Sequence, residues 1–404
     1  MASQSLIMEH WSRIRRDPAR AVTVGALALF GFSIPIGPQY VSYTTAIVIL
    51  VWLFRGRFRR FPGLIAHNPV VRAAAILFGL FIIGMAYGSA DLSDALLTLK
   101  KYRELILIPI LMSLADSEEE RRIAILGFMA AMLLSLVLAY GEIFGLLNIG
   151  RYRETTAFQH RIVFSILLAY FLFWAAHRTF DEPGMWRWFW AVIVLAGTYF
   201  LFHNVASRTG YVTVPILAVL FAFQRFSFKG AVIATVGVAA TLTVFYFTSD
   251  IFAYRVARSI GDISKIESGE ARGRIRQWRT SVAAIGAAPI IGHGTGSFPS
   301  AFRNSSESKR YGLAQPHNEY LLITVQIGIF GLAAFLWLLF TQWRAAGRAP
   351  PPRSHLGQGL VLSFAVVCVF NSSLFNSPEG HMYAFMTAML FAGTASRSEE
   401  NGSM

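Results

Sequence analysis

Apolar residues in this chain gather in blocks of roughly twenty, set apart by short polar breaks, and the pattern repeats along its length. A block of that size crosses a hydrocarbon core of about 30 Å as a helix. Lipid leaves only helices or a closed barrel as spanning structures, because every backbone polar group must be satisfied internally. Runs such as 123–147 and 231–247 are continuously apolar and do not alternate, so helices are expected. The pattern predicts spans over 21–37, 39–54, 72–88, 96–115, 123–147, 161–177, 188–205, 209–224, 230–249, 317–343, 356–375 and 379–396. That makes about twelve, in an all-α integral membrane protein.

The breaks between the blocks carry an orientation. Those at 55–60, 116–122, 177–187, 224–230 and 343–355 are short and basic, as is an N-terminal segment bearing Arg13, Arg15, Arg16 and Arg20. The breaks at 37–39 and 375–380 hold none. Basic loops stay on the cytoplasmic side, so both termini are expected inside. No small-residue cleavage site closes the first apolar run, which reads as a retained anchor. Segments 89–103, 148–161, 206–208 and 250–316 then lie outside. They too are basic, with Lys100, Lys101, Arg103, Arg151, Arg153, Arg161 and Arg208, and ten further Lys or Arg in 250–316. Positive charge on the translocated side opposes the usual bias and points to an anionic ligand there.

Composition narrows the choice further. Of 404 residues, 55% are hydrophobic and 14% charged, well below the charged share of a soluble domain. The net charge of +14 is scattered over many loops, which argues against nucleic-acid binding. Cys368, the one cysteine, lies inside an apolar stretch, so neither a disulfide nor a cysteine metal site is expected. The chain divides into N-terminal spans (1–249, about nine), one large loop (250–316) and C-terminal spans (317–404, about three).

Within the loop, Arg272, Arg276 and Arg279 recur at i, i+4 and i+7, with Ile275, Trp278 and Val282 on another face. This predicts an amphipathic helix at the membrane surface, either turned towards charged ligands or simply capping the bundle. The stretch 289–298 places Gly292, Gly294 and Gly296 close together. No strand–helix unit frames them, so a tight turn is expected rather than a nucleotide site. Pro316-His317-Asn318-Glu319 then opens a span. His317 is either a structural cap or a titratable base at the lipid–water boundary.

These residues together resemble a known family. Arg274-x-x-x-Trp278, Pro289-x-x-Gly292-x-Gly294-x-Gly296-x-Phe298 and Pro316-His317-Asn318-x-x-Leu321, followed by Gly328 and Gly331, resemble the O-antigen ligase and polymerase family. That superfamily also includes bacterial O-linked oligosaccharyltransferases, and Ser207-Arg208-Thr209-Gly210 looks like a second family element. Length and layout look most like the ligase branch, which joins O-antigen to lipid A–core, with the polymerases as the nearest alternative. The resemblance implies a GT-C type glycosyltransferase in the bacterial inner membrane, acting on its periplasmic face. It also implies an undecaprenyl-pyrophosphate-linked O-antigen donor, a lipid A–core acceptor, and neither metal nor cofactor.

The family's reaction assigns roles. Arginine binds phosphate bidentately and stays charged, which suits Arg161 and Arg208 to the pyrophosphate, although span-end arginines also serve as snorkelling anchors. Lys100, Arg103, Gln159 and His160 are further candidate contacts. Lys100 and Glu104, at i and i+4, also suit a simple ion pair. Arg272, Arg276 and Arg279 suit the acceptor's phosphates. His317 is the expected catalytic base, with Asn318 or Glu319 orienting it. A transporter of an anionic lipid-linked substrate is the alternative from another class.

Overall fold

The computed structural model describes residues 17–147, 149, 156–264, 274–303 and 315–392; Arg13, Arg15, Arg16, Arg151 and Arg153 lie outside them. Among the described residues the chain is helical and without strands. The helices are α1 (Pro18–Ile36), α2 (Pro38–Phe54), α3 (Phe61–His67), α4 (Pro69–Tyr87), α5 (Leu92–Lys101), α6 (Glu104–Leu114), α7 (Glu118–Ile143), α8 (Arg161–Asp181) and α9 (Met185–Asn204). They continue as α10 (Arg208–Arg225), α11 (Phe228–Thr248), α12 (Asp250–Ser264), α13 (Arg274–Ala287), α14 (Phe298–Arg303), α15 (Glu319–Gly347), α16 (Arg353–Phe370) and α17 (Ser377–Phe391). Each of the twelve segments expected from the apolar pattern is helical over most of its length. By length and composition, eight helices among the described residues are suited to cross a membrane, or nine if α2 and the turn-and-helix after it, bent by 82°, count as one span.

Local chemistry explains where the helices begin and why some are short. The Asp17 carboxylate accepts from Ala19 N and Arg20 N (3.0 and 3.1 Å), and Ser117 and Glu120 form a reciprocal capping box on α7. The expected span 96–115 is divided into α5 and α6, because the run Lys100 to Glu104 interrupts the apolar register. Glu104 turns inward, 3.2 Å from His381 Nδ1, and its Oε1 lies 3.9 Å from Arg103 Nε. The expected Lys100–Glu104 pair is therefore replaced by these two.

Polar contacts sort the connections into two ends. At one end, Arg20 Nε bonds Glu120 at 2.5 Å, Asp116 pairs with Arg57 and Arg60, and Gln224 Nε2 donates to Gln358 at 2.9 Å. At the other, Gln159 Nε2 donates to Ile34 O (3.1 Å), Ser249 Oγ to Phe202 O (2.7 Å), and Gln315 Nε2 to Asn376 Oδ1 (3.1 Å). The second end collects the connections expected to lie outside.

The glycine stretch 289–298 is built into that second end. Helix α15 breaks at Gly328 (φ 63°, ψ −157°), and the freed carbonyls of Val325 and Gln326 accept from His293 N (2.9 Å) and Gly294 N (2.8 Å). Ile329 N donates back to Pro289 O at 3.0 Å, and the Gln326 side chain accepts from Gly296 N at 2.9 Å. On the other flank Thr295 N donates to Gly84 O of α4 at 3.0 Å. The tight turn expected from sequence is thus a backbone insert wedged between α4 and α15. Gly294 has φ 91°, and a Cβ there would sit 2.1 Å from Gly88 Cα.

Gly294→Ala combines a left-handed backbone with a clash that no rotamer relieves. It should lower stability by about 2 kcal/mol or more, read as a reduced thermal midpoint and yield in detergent. Gly79→Ala, in open space on α4, should leave both unchanged.

Candidate functional site

Two helix N-termini form the base of the site. Ser207 caps α10, and its hydroxyl bonds that of Ser165 on α8 at 2.7 Å. Gly210 permits the close approach, since a Cβ there would lie 2.8 Å from Ser165 Cβ. The Ser-Arg-Thr-Gly element therefore sets the starts of α8 and α10 side by side. Arg161 and Arg208 are the first residues of these two helices, so their charge adds to the positive ends of two helix dipoles.

Helix α12 closes over this base. Phe252 packs edge-on against Phe202 and Tyr211, with ring centroids 5.1 and 4.8 Å apart, and the Tyr211 hydroxyl donates to Val205 O at 2.6 Å. This docking brings in Arg255. Burial first, then Arg161 and Arg208, pulls the Arg255 guanidinium below the ordinary arginine pKa. Tyr211 and Arg258 are the other charges acting on it among the described residues, and no carboxylate of those residues stands among them.

Helix α13 supplies the link to the histidine. Trp278 Nε1 donates to Pro316 O at 3.2 Å, and His293 bonds Ala284 O at 2.8 Å, so the inserted glycine stretch and the start of α15 hold α13 from two sides. Arg274, one turn before Trp278 on the same face, stands between two charges. Burial and then Arg208 lower its pKa. Arg274 in turn acts on His317. Burial first and Arg274 second hold the imidazole below the ordinary histidine pKa, while a hydrogen bond with Asn371 pulls the other way. A neutral imidazole keeps a lone pair for a proton at neutral pH.

The residues singled out from sequence divide accordingly. Arg161, Arg208 and His317 come together at one end of the bundle, and Arg255, Arg274 and Asn371 join them there. Arg274 belonged to the recognised motif, but only the fold reveals its position between Arg208 and His317. Arg255 carried no sequence signal beyond its place in the basic loop, and Asn371 lay inside an expected span. Neither residue expected to orient the imidazole is its partner. Asn318 caps α15 by accepting from Leu321 N (3.0 Å), and Glu319 accepts from Tyr102 Oη (3.1 Å), Leu374 N (2.9 Å) and Phe375 N (3.4 Å). Gln159 bonds Ile34 O and His160 caps α8 through Ile162 N (3.4 Å), so both help to fix Arg161 in place. Lys100 is exposed at the end of α5, and Arg103 lies beside Glu104. Arg276 is half-buried and Arg279 exposed on α13, whereas Arg272 lies outside the described residues.

Comparison with known proteins supplies the context. Residues 190–336 match the family model described as O-antigen ligase. The match supports membership of the O-antigen ligase superfamily. The matched segment contains Arg208, Arg255, Arg274, the glycine insert and His317, and ends before Asn371. An uncharacterized protein of Haemophilus influenzae is 25% identical over 149 residues, covering 33% of this chain and 37% of its own length. The chain thus spans well under half of that relative.

Arg274→Gln should raise the His317 pKa, because it removes the second-largest influence holding the imidazole neutral. Histidine resonances followed by NMR against pH in detergent would measure it. An unchanged or lowered value would break the link between the two residues.

Proposed function

We propose that this protein transfers O-antigen polysaccharide en bloc from undecaprenyl pyrophosphate to a sugar hydroxyl of lipid A–core. The observation that carries the reading is the convergence of Arg161, Arg208, Arg255 and Arg274 beside a histidine held below its ordinary pKa, with no carboxylate of the described residues among the charges acting on Arg255 and Arg274. Such a cluster is stable when an anion of high charge occupies it, and a pyrophosphate diester has the right chemistry. The site is read as periplasmic, both termini as cytoplasmic, and the helical segments as about twelve spans of a GT-C type transferase. Residues 1–249 and 317–404 are the two membrane parts of this reading, and 250–316 the periplasmic one.

In the reaction, the acceptor oxygen forms a bond to the anomeric carbon while the bond from that carbon to the phosphate oxygen breaks. Undecaprenyl pyrophosphate leaves with the electron pair, the configuration inverts, and the hydroxyl proton passes to the His317 imidazole. Arg161, Arg208 and Arg255 hold the pyrophosphate and gain strength as charge develops on the leaving oxygen. Arg274 keeps His317 unprotonated before the step. Asn371 positions the ring. Arg276 and Arg279, further along α13, suit the acceptor's phosphates, as Arg272 does from outside the described residues.

The test uses the full-length purified chain, lipid-linked O-antigen and lipid A–core, with product ladders read on a gel. His317→Ala should slow transfer by about 10²–10⁴-fold, and Arg208→Ala or Arg255→Ala by about 10²-fold or more, with unchanged elution profiles. Activity should persist in EDTA. Arg274→Gln should move the acid limb of the pH profile upward, since an imidazole with a raised pKa is protonated at higher pH. Donor chains that lengthen without reaching lipid A–core would make the protein a polymerase. Export of intact donor without transfer would make it a transporter.

A further inference from the structure

A cavity of about 1010 Å³ lies at the end opposite His317. The C-terminal halves of α6 and α15 and the starts of α7 and α16 enclose it. Five arginines line it: Arg60, Arg121, Arg344, Arg348 and Arg353. Asp116 and Glu118 are the carboxylates there, and Asp116 is already paired with Arg57 and Arg60. The Arg121 Nη1 atom donates to Ala115 O at 3.3 Å. Arg344 and Arg348 are exposed and pair with no carboxylate among the described residues.

The cavity is also directional. Trp337, Phe340, Arg344 and Arg348 recur at helical spacing, so they form one stripe along α15. At 1.5 Å per residue the stripe runs roughly 16 Å, from exposed aromatic rings (Phe340 is 55% exposed) to exposed guanidiniums. Arg344 lies over the Phe340 ring, 5.7 Å from its centroid, where the two chemistries meet. A bare topology signal needs only loop charge, without a cavity or an aromatic track leading into it. We propose that this cavity binds an anionic phospholipid. Its phosphodiester head group sits among Arg344, Arg348 and Arg353, and an acyl chain lies along Phe340 and Trp337.

The purified full-length protein in detergent would be titrated with dioleoyl phosphatidylglycerol, dioleoyl phosphatidylcholine or inorganic phosphate, and binding read by native mass spectrometry and thermal shift. Phosphatidylglycerol should bind and stabilise, with phosphatidylcholine weaker by about tenfold or more and inorganic phosphate without effect at the same concentration. Arg344→Gln/Arg348→Gln should erase the preference, and Arg344→Lys/Arg348→Lys should keep most of it. Arg187→Gln/Lys229→Gln removes equal charge from exposed positions at the same end, away from the cavity, and should leave the preference intact. Equal binding of the two lipids, an undiminished preference in the glutamine variant, or an equal loss in the Arg187/Lys229 control would overturn the site. Stabilisation by phosphate alone would overturn its assignment to a lipid.

Discussion

A backbone amide inside a bilayer protein has no water to fall back on, and the break in α15 at Gly328 exposes that constraint most sharply. Interrupting the helix strips partners from the Val325 and Gln326 carbonyls, and the chain answers with the amides of His293 and Gly294. One exchange of hydrogen bonds thereby fixes two distant stretches against each other and against α4. Everything at the histidine end inherits its position from this joint. It holds the C-terminal end of α13, through Ala284, against the start of α15, through Trp278 and Pro316. With α13 fixed at both points, Arg274 faces His317. The three glycines act at a distance from the chemistry, as the rigid mount on which the chemistry is placed.

This division explains what could be read from sequence. Helical class was legible, because apolar block length is a property of the chain itself, and Arg161, Arg208 and His317, singled out from sequence, lie at one end of the bundle. The partners were not. Asn318 and Glu319 adjoin His317 in sequence, yet the first turn of α15 claims one as its cap, and the corner at Tyr102 and Leu374 claims the other. Asn371, 54 positions further on, reaches the imidazole because α16 ends beside the start of α15. Arg255 entered through aromatic packing of Phe252, which no charge pattern announces. A block of apolar residues does not disclose a corner such as Tyr102–Arg103 or a helix as short as α17.

The arginine cluster sets the order of events that its chemistry requires. Like charges gathered at two helix N-termini repel one another, and burial strengthens the repulsion. On the proposed function, an anionic donor entering the cluster would relieve that repulsion before any bond is broken. The same field reaches His317 through Arg274 and keeps it neutral. In the proposed transfer, negative charge would grow on the leaving group while positive charge grows on the imidazole. The arginines would then favour the leaving group and oppose the protonated base, so the proton would best be taken late.

His317 itself sits in the left-handed backbone region (φ 51°), a conformation that costs a non-glycine residue about 1 kcal/mol. Its neighbours hold it there, with the Pro316 carbonyl tied to Trp278 and the Asn318 side chain committed to Leu321 N. A histidine continuing the helix would follow the path of the first turn of α15, which faces Tyr102 and Leu374 through Glu319. The left-handed step instead releases the ring to meet Asn371 and Arg274. The strain is thus confined to the residue whose direction matters most. The cap on one side and the tryptophan on the other give that direction its rigidity, which the proposed role as a base on a weakly acidic hydroxyl would require.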